Sequence, residues 1–232
     1  MGSKYVTYIS SQDGFARDTY DAALKGSKDD KLSASDNLLV YVKNIPGEQY
    51  ARRAPIWRAL YNLNKEVNQE DAVGYLLAEA SEYQFQTMFS LEMLELIAEG
   101  KKAPKSASFY VAETVAFAGE AKSLLQQAKS WVNSIVAQSP ESKDVAAAFY
   151  KQIADGIAVA DSTIKTAKAF DVSTPEKAKE SKDKAAAAKK TSAGSQKKVP
   201  SGMSPTTSKV VIVGLLLLAT FYAWRAGEFD QE

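Results

Sequence analysis

From residue 71 to residue 170 the apolar side chains return at intervals of three and four, which restricts the chain to helices packed on helices. Across Asp71 to Glu99 the stripe is Val73, Leu76, Leu77, Ala80, Tyr83, Leu91 and Leu94. Phe85, Met88, Phe89, Met93, Leu96 and Ile97 widen it so far that this helix must be covered on most sides. Gly100 supplies the stop and Pro104 the punctuation. The next helix, about Ser106 to Gln138, carries a heptad seam of Phe117, Ala121, Leu124, Ala128, Trp131 and Ile135. Ser139 caps a third, with Pro140 in its first turn and Glu141 behind it. That helix runs to about Phe170 with Val145, Phe149, Ile153, Ile157, Ala160, Ile164 and Ala167 facing inward, and Gly156 lets its backbone approach a neighbour. Residues 56–66 form a shorter candidate. Short connections between long helices imply antiparallel neighbours, so residues 50–171 are expected to form an up-and-down bundle of three or four long helices.

The flanks have a different character. Residues 1–49 carry turn chemistry at Asp13-Gly14, Lys25-Gly26 and Pro46-Gly47, with a short helix expected from Phe15 to Leu24. Leu38-Leu39-Val40-Tyr41-Val42 fits a strand or, after a Ser35 cap, a short helix, and the helix is favoured. This N-terminal arm is expected to be ordered by packing on something else. Residues 172–209 are a Lys/Ala/Ser-rich stalk: Pro175 to Lys190 can be helical, supported by charge pairs such as Glu180 to Lys184, but shows no apolar face. Ser192 to Ser208 is a linker of Gly, Ser, Thr and Pro.

Residues 210–225 are expected to form a transmembrane helix, followed by a short acidic tail, 226–232. Val210 to Trp224 is fifteen residues without a charge, bounded by Lys209 and Arg225. As a helix it is about 22 Å long, short of a bilayer core of about 30 Å. Lys209 and Arg225 can snorkel, and Tyr222 and Trp224 suit the headgroup level. The apolar residues Val210, Val211, Ile212, Val213, Leu215, Leu216, Leu217, Leu218 and Phe221 outweigh Gly214 and Thr220 at roughly −0.3 to −0.6 kcal/mol each. Nine lysines from Lys177 to Lys209 precede the span and only Arg225 follows it, so the bulk of the chain is expected on the cytoplasmic side of a single-pass membrane protein. Near the N-terminus, Val6 stands where a myristoylation signal wants Ser or Thr, so no second anchor is expected.

Composition excludes more than it assigns. With no Cys and no His, the chain has no disulfides, no thiolate nucleophile, no Cys/His zinc site and no Ser-His-Asp triad. Twenty-nine basic against twenty-eight acidic residues give a net charge of +1, so no global field points to nucleic acid. The lysines of 177–198 have no aromatic residue among them on which bases could stack, and a juxtamembrane or merely solubilising role is the simpler account. Glutamates 79, 82, 92, 95, 99, 113 and 120 are expected to be solvated helix-face residues. The enzyme reading they leave open is a membrane-tethered polysaccharide hydrolase acting through Glu82 or Glu92. The cluster Tyr50, Arg52, Arg53, Trp57, Arg58 and Tyr61 holds three of the five arginines of the chain beside aromatics, the residue types that dominate protein interfaces. It is expected to meet a partner; otherwise Trp57 and Tyr61 are bundle core and the arginines cover it.

The function these features favour is non-enzymatic. A tail-anchored, all-α structural protein would link a membrane to a protein lattice or large complex, as a viral minor capsid protein beneath an icosahedral shell or an accessory subunit of a membrane complex would. The expected partners are a lipid bilayer, for example a virion's internal membrane, and other protein subunits. No nucleic acid, cofactor, metal or small-molecule substrate is expected. Besides the hydrolase, a coiled-coil tethering or fusion adaptor built on residues 104–171 is the other alternative.

Overall fold

Local chemistry marks where the helices begin and end. In the computed structural model, which describes residues 9–140 and 143–194, a 3-10 turn at Ser11–Asp13 leads into α1, Gly14–Leu24. A capping box opens α2, Lys28–Lys43: the Asp30 N–H donates to Ser27 Oγ, and the Ser27 N–H donates to the Asp30 carboxylate at 2.8 Å. Residues 38–42 are therefore helical. Leu38 and Val42, one turn apart, are fully buried, while Val40 between them faces outward. The helix α3, Tyr50–Asn64, starts well before the expected residue 56. Pro55 does not stop it, because the missing N–H would have bonded the carbonyl of Ala51, in the first turn at the solvent-exposed start of the helix.

The longest elements follow: α4, Gln69–Ala98, α5, Ala107–Gln138, and α6, Lys143–Lys168. Asn68 and Asp71 bond one another at the head of α4. Gly100, at φ 74°, ends it in a Schellman turn, with Gly100 N–H on Ile97 O at 3.0 Å and Lys101 N–H on Leu96 O at 2.9 Å. The last helix among the described residues is α7, Pro175–Gly194. All regular structure among the described residues is helical, as the periodicity implied.

The described residues divide into two compact units. The first holds residues 9–79 with the stretch from 131 to 146; the second holds 80–130 and 147–194. Within the first unit α1, α2 and α3 pack on one another, so most of the expected N-terminal arm is helical core: Ala16, Ala23, Ala34, Leu38, Val42 and Ile45 are buried. Successive helices are antiparallel, since Tyr41 of α2 meets Asp13 before α1, and Asn64 at the end of α3 bonds Ser35 of α2 at 2.8 Å.

In the second unit the buried positions of α5 are Thr114, Ala118, Ala121, Leu124, Leu125 and Ala128, and those of α6 are Phe149, Ile153, Gly156, Val159, Ala160, Thr163 and Ala167. Two matched heptad stripes thus face each other, antiparallel, with Lys122 paired to Asp161 at 2.6 Å. A Cβ on Gly156 would lie 2.8 Å from Leu125 Cδ1, so this glycine admits the close approach expected of it. The α5 stripe is rotated from the expected one. Phe117, Trp131 and Ile135 are only half-buried, and Thr114 enters the seam because its hydroxyl donates to Tyr110 O at 2.7 Å and carries no unmet bond inside. The side chain of Val145 lies outside the described residues.

The expected stalk is the largest departure. Ser181, Ala185, Ala188 and Ser192 of α7 form a buried heptad stripe of small residues, with Ala185 and Ala188 packed against Leu91, Leu94 and Ile97 of α4. A helix without large apolar residues is docked all the same, because alanine and serine let the larger neighbours close over it. The expected linker from residue 195 onward, the expected transmembrane segment 210–225 with Lys209 and Arg225, and the expected tail 226–232 lie outside the described residues. Among the described residues no helix is long and apolar enough to cross a membrane.

Candidate functional site

Helix α3 carries the arginine–aromatic cluster, and its side chains turn inward. Trp57 is fully buried, its ring stacked 6.3 Å from that of Tyr75. Tyr61 is buried too; its ring meets Trp131 edge-on at 6.5 Å, and its hydroxyl accepts a hydrogen bond from Trp131 Nε1 at 3.1 Å. Arg58 Cζ lies 5.9 Å from the Tyr61 ring centre, within cation–π range. Arg53 is buried beneath the turn at Gly47, where a Cβ would come 3.6 Å from its guanidinium. Tyr50 is half-buried. The six residues expected to form a partner-facing surface therefore belong largely to the interior of the first unit. The physical cause is carboxylate supply: each of two arginines finds a buried acid.

Arg58 grips Glu79 with both arms, Nε to Oε2 at 2.7 Å and Nη2 to Oε1 at 3.1 Å, and the Glu79 side chain is 2 % exposed. Arg52 grips Asp13, with Nη2 to Oδ1 at 2.5 Å and Nε to Oδ2 at 3.2 Å, and the Tyr41 hydroxyl donates to the same Oδ1 at 2.9 Å. Burial raises the Asp13 pKa, but the hydrogen bonds from Arg52 and Tyr41 and the arginine charge outweigh it and hold the carboxyl below its ordinary value. Burial, then the Asp13 hydrogen bond, pushes Tyr41 up. The sequence marks Asp13-Gly14 only as a turn; nothing in its local pattern announces a buried carboxylate that ties the start of α1 to α2 and α3.

A second polar cluster, which the sequence did not suggest, lies where α7 meets α4. Lys182 Nζ stands 2.7 Å from Glu99 Oε1, and Lys189 Nζ 2.6 Å from Glu95 Oε2. Hydrogen bonds from Lys182 and then Lys101 hold Glu99 down to about 2. The α6–α7 turn is knotted by Asp171. Its N–H donates to Ser181 Oγ at 2.9 Å, that hydroxyl donates back to Asp171 O at 2.9 Å, and its carboxylate accepts from Lys177 Nζ at 2.8 Å and from the Ser173 N–H at 2.8 Å. Those bonds, Lys177 first, lower the Asp171 pKa to about 2. Half of the eight lysines of 177–198 are thereby occupied within the chain: Lys177, Lys182, Lys184 and Lys189.

No family model, curated protein or solved structure matches this chain. Its chemistry has to be read from the geometry alone.

The glutamates, expected on solvated faces, are more embedded than that. Glu79 and Glu82 are buried, Glu95 and Glu99 are in ion pairs, and Glu113 accepts a hydrogen bond from Ser90 at 3.3 Å, with its pKa raised by burial. Of the two glutamates on which the hydrolase alternative stands, Glu82 is buried in α4 and Glu92, ten residues on, is half-buried. Among the described residues no group of three or more acids is arranged to hold a metal ion.

Proposed function

We propose that this chain is a non-enzymatic structural protein, anchored in a membrane through residues 210–225 and connecting that membrane to a protein assembly. The observation that carries the reading is the uncharged run Val210 to Trp224 between Lys209 and Arg225, placed after a helical body whose polar constellations are engaged with one another. The excess of lysine before the run orients the body to the cytoplasmic side, or to the matching face of an internal virion membrane. Contacts to neighbouring subunits fall to the apolar side chains the body leaves in solvent on α1 and α2, Phe15 at 57 % and Val40 at 61 % exposure. Trp57, inside the first unit, is not among them.

The test is flotation of the full chain with vesicles of phosphatidylcholine alone, which carry no net charge for the lysines of α7 to engage, beside a chain ending at Gly194. The full chain rises with the vesicles and the shortened one stays below, folded, since α7 and its partners are intact. A full chain that stays below with the shortened one overturns the anchor. Cross-linking in the native assembly that finds no neighbour on residues 1–62 overturns the connecting role.

A further inference from the structure

We infer that α7 is a displaceable strap, whose Lys182 and Lys189 exchange Glu99 and Glu95 for an anionic lipid surface and so uncover the Leu91, Leu94 and Ile97 stripe of α4. The inference rests on the membrane reading above for its ligand, and on the geometry of the second unit for its device.

Three features of that geometry combine. The first is that α7 brings little apolar surface of its own to the contact and is flanked there by two ion pairs. Its seam contributes only Ala185 and Ala188 to the apolar cluster, flanked by Ser181 and Ser192, whereas the surface beneath supplies Leu91, Leu94 and Ile97, with Tyr110, Val111, Phe170 and Val172 packed around them. The two ion pairs sit beside this seam one heptad apart on α7, and their order, Lys182 to Glu99 and Lys189 to Glu95, runs α7 antiparallel to α4. Both lysines remain partly open to solvent, at 44 % and 31 % side-chain exposure, so a competing anion can reach them.

The second is charge. Between Pro175 and Gly194 six lysines stand against three carboxylates, and Lys179 and Lys190 already lie exposed to solvent. A lysine near an anionic leaflet gains an attraction comparable with what a partly exposed ion pair provides, so the choice between Glu95/Glu99 and a lipid headgroup is balanced. The third is position. Only residues 195–209 separate the end of α7 from the apolar run, so a chain anchored there presents α7 to the lipid surface at high effective concentration. Released, α7 has no large apolar side chain with which to hold the groove against a better-fitting helix.

The absence of cysteine makes the strap directly measurable. The full chain carrying Ala188→Cys is mixed with vesicles of phosphatidylcholine alone, or of phosphatidylcholine with phosphatidylserine, and the rate of maleimide labelling is followed. Amide exchange of residues 181–192 in the unsubstituted chain repeats the measurement without disturbing the seam. The expected result is labelling about tenfold faster, and a matching loss of protection, on the phosphatidylserine vesicles, the scale set by two lysines gaining an anionic surface. In the same background, Glu95→Gln with Glu99→Gln should label fast on either vesicle.

Equal rates on the two vesicle types, with the chain floating on both, overturn the strap and leave the anchor standing. Failure to float on phosphatidylcholine, together with faster labelling when phosphatidylserine is present, removes the anchor and leaves the strap. Slow labelling of the Glu95→Gln/Glu99→Gln chain shows that the ion pairs do not hold α7, and also overturns the inference.

Discussion

Arg58 and Glu79 show how burial changes the worth of a charge. On a surface such a pair contributes little, but here Glu79 is almost wholly enclosed and its carboxylate depends on both guanidinium arms. Arg58→Met strands that carboxylate and should cost on the order of 3 kcal/mol, whereas Arg58→Met with Glu79→Leu should recover most of the loss, because no ion is then left inside. Chemical denaturation of the two variants checks this; equal losses would mean that Glu79 contributes through packing instead. The same reasoning explains why the sequence leaves the arginine–aromatic cluster open between a partner surface and a core that the arginines cover. Composition alone cannot distinguish an arginine that waits for a partner from one already served by a carboxylate 21 or 39 residues away in the chain.

At the level of single helices, α5 and α6 contain two glycines in opposite situations. A Cβ on Gly119 meets nothing within 4 Å, while one on Gly156 meets Leu125 Cδ1 at 2.8 Å. Gly119→Ala should stabilise the protein by about 0.5–1 kcal/mol through helix propensity alone. Gly156→Ala gains the same propensity but must push the buried Leu125 aside, and should fall at least about 1 kcal/mol below Gly119→Ala in thermal or denaturant unfolding. Helix identity was legible because the signals are local, the stop at Gly100 and the steps of three and four, although the cap of α2 is Ser27 and not Ser35, which lies inside the helix. What was not legible is which neighbouring stripe turns inward. Thr114 and Thr163 read as polar, yet both are buried, displacing Phe117 and Ile164 to half-buried flanks. The docking of α7 was hidden for a related reason, since alanine and serine leave no hydrophobic signature even where they fill a seam.

For the molecule as a whole, acid should loosen the first unit at Asp13 and the second at the closure of α7. Glu99 and Asp171 both titrate near 2 in the folded state, well below their ordinary values of 4.5 and 3.8. A carboxyl lowered by folding contributes stability that is complete above its unfolded pKa and disappears as pH falls through the folded one. The closure of α7 should therefore weaken progressively between about pH 4.5 and pH 2, with no comparable change between pH 5 and pH 8. Amide exchange along 177–194 across that range reads the effect directly, and protection that persists unchanged down to pH 2 would contradict it. Opening at milder pH, driven from outside, would be directional. The Asp171 turn fastens the leading end of α7 through backbone, hydroxyl and lysine together, so separation starts at Gly194 and swings about residue 171 as a door swings on its jamb. The reach this adds to the chain is then bounded by the door's own width, about 30 Å.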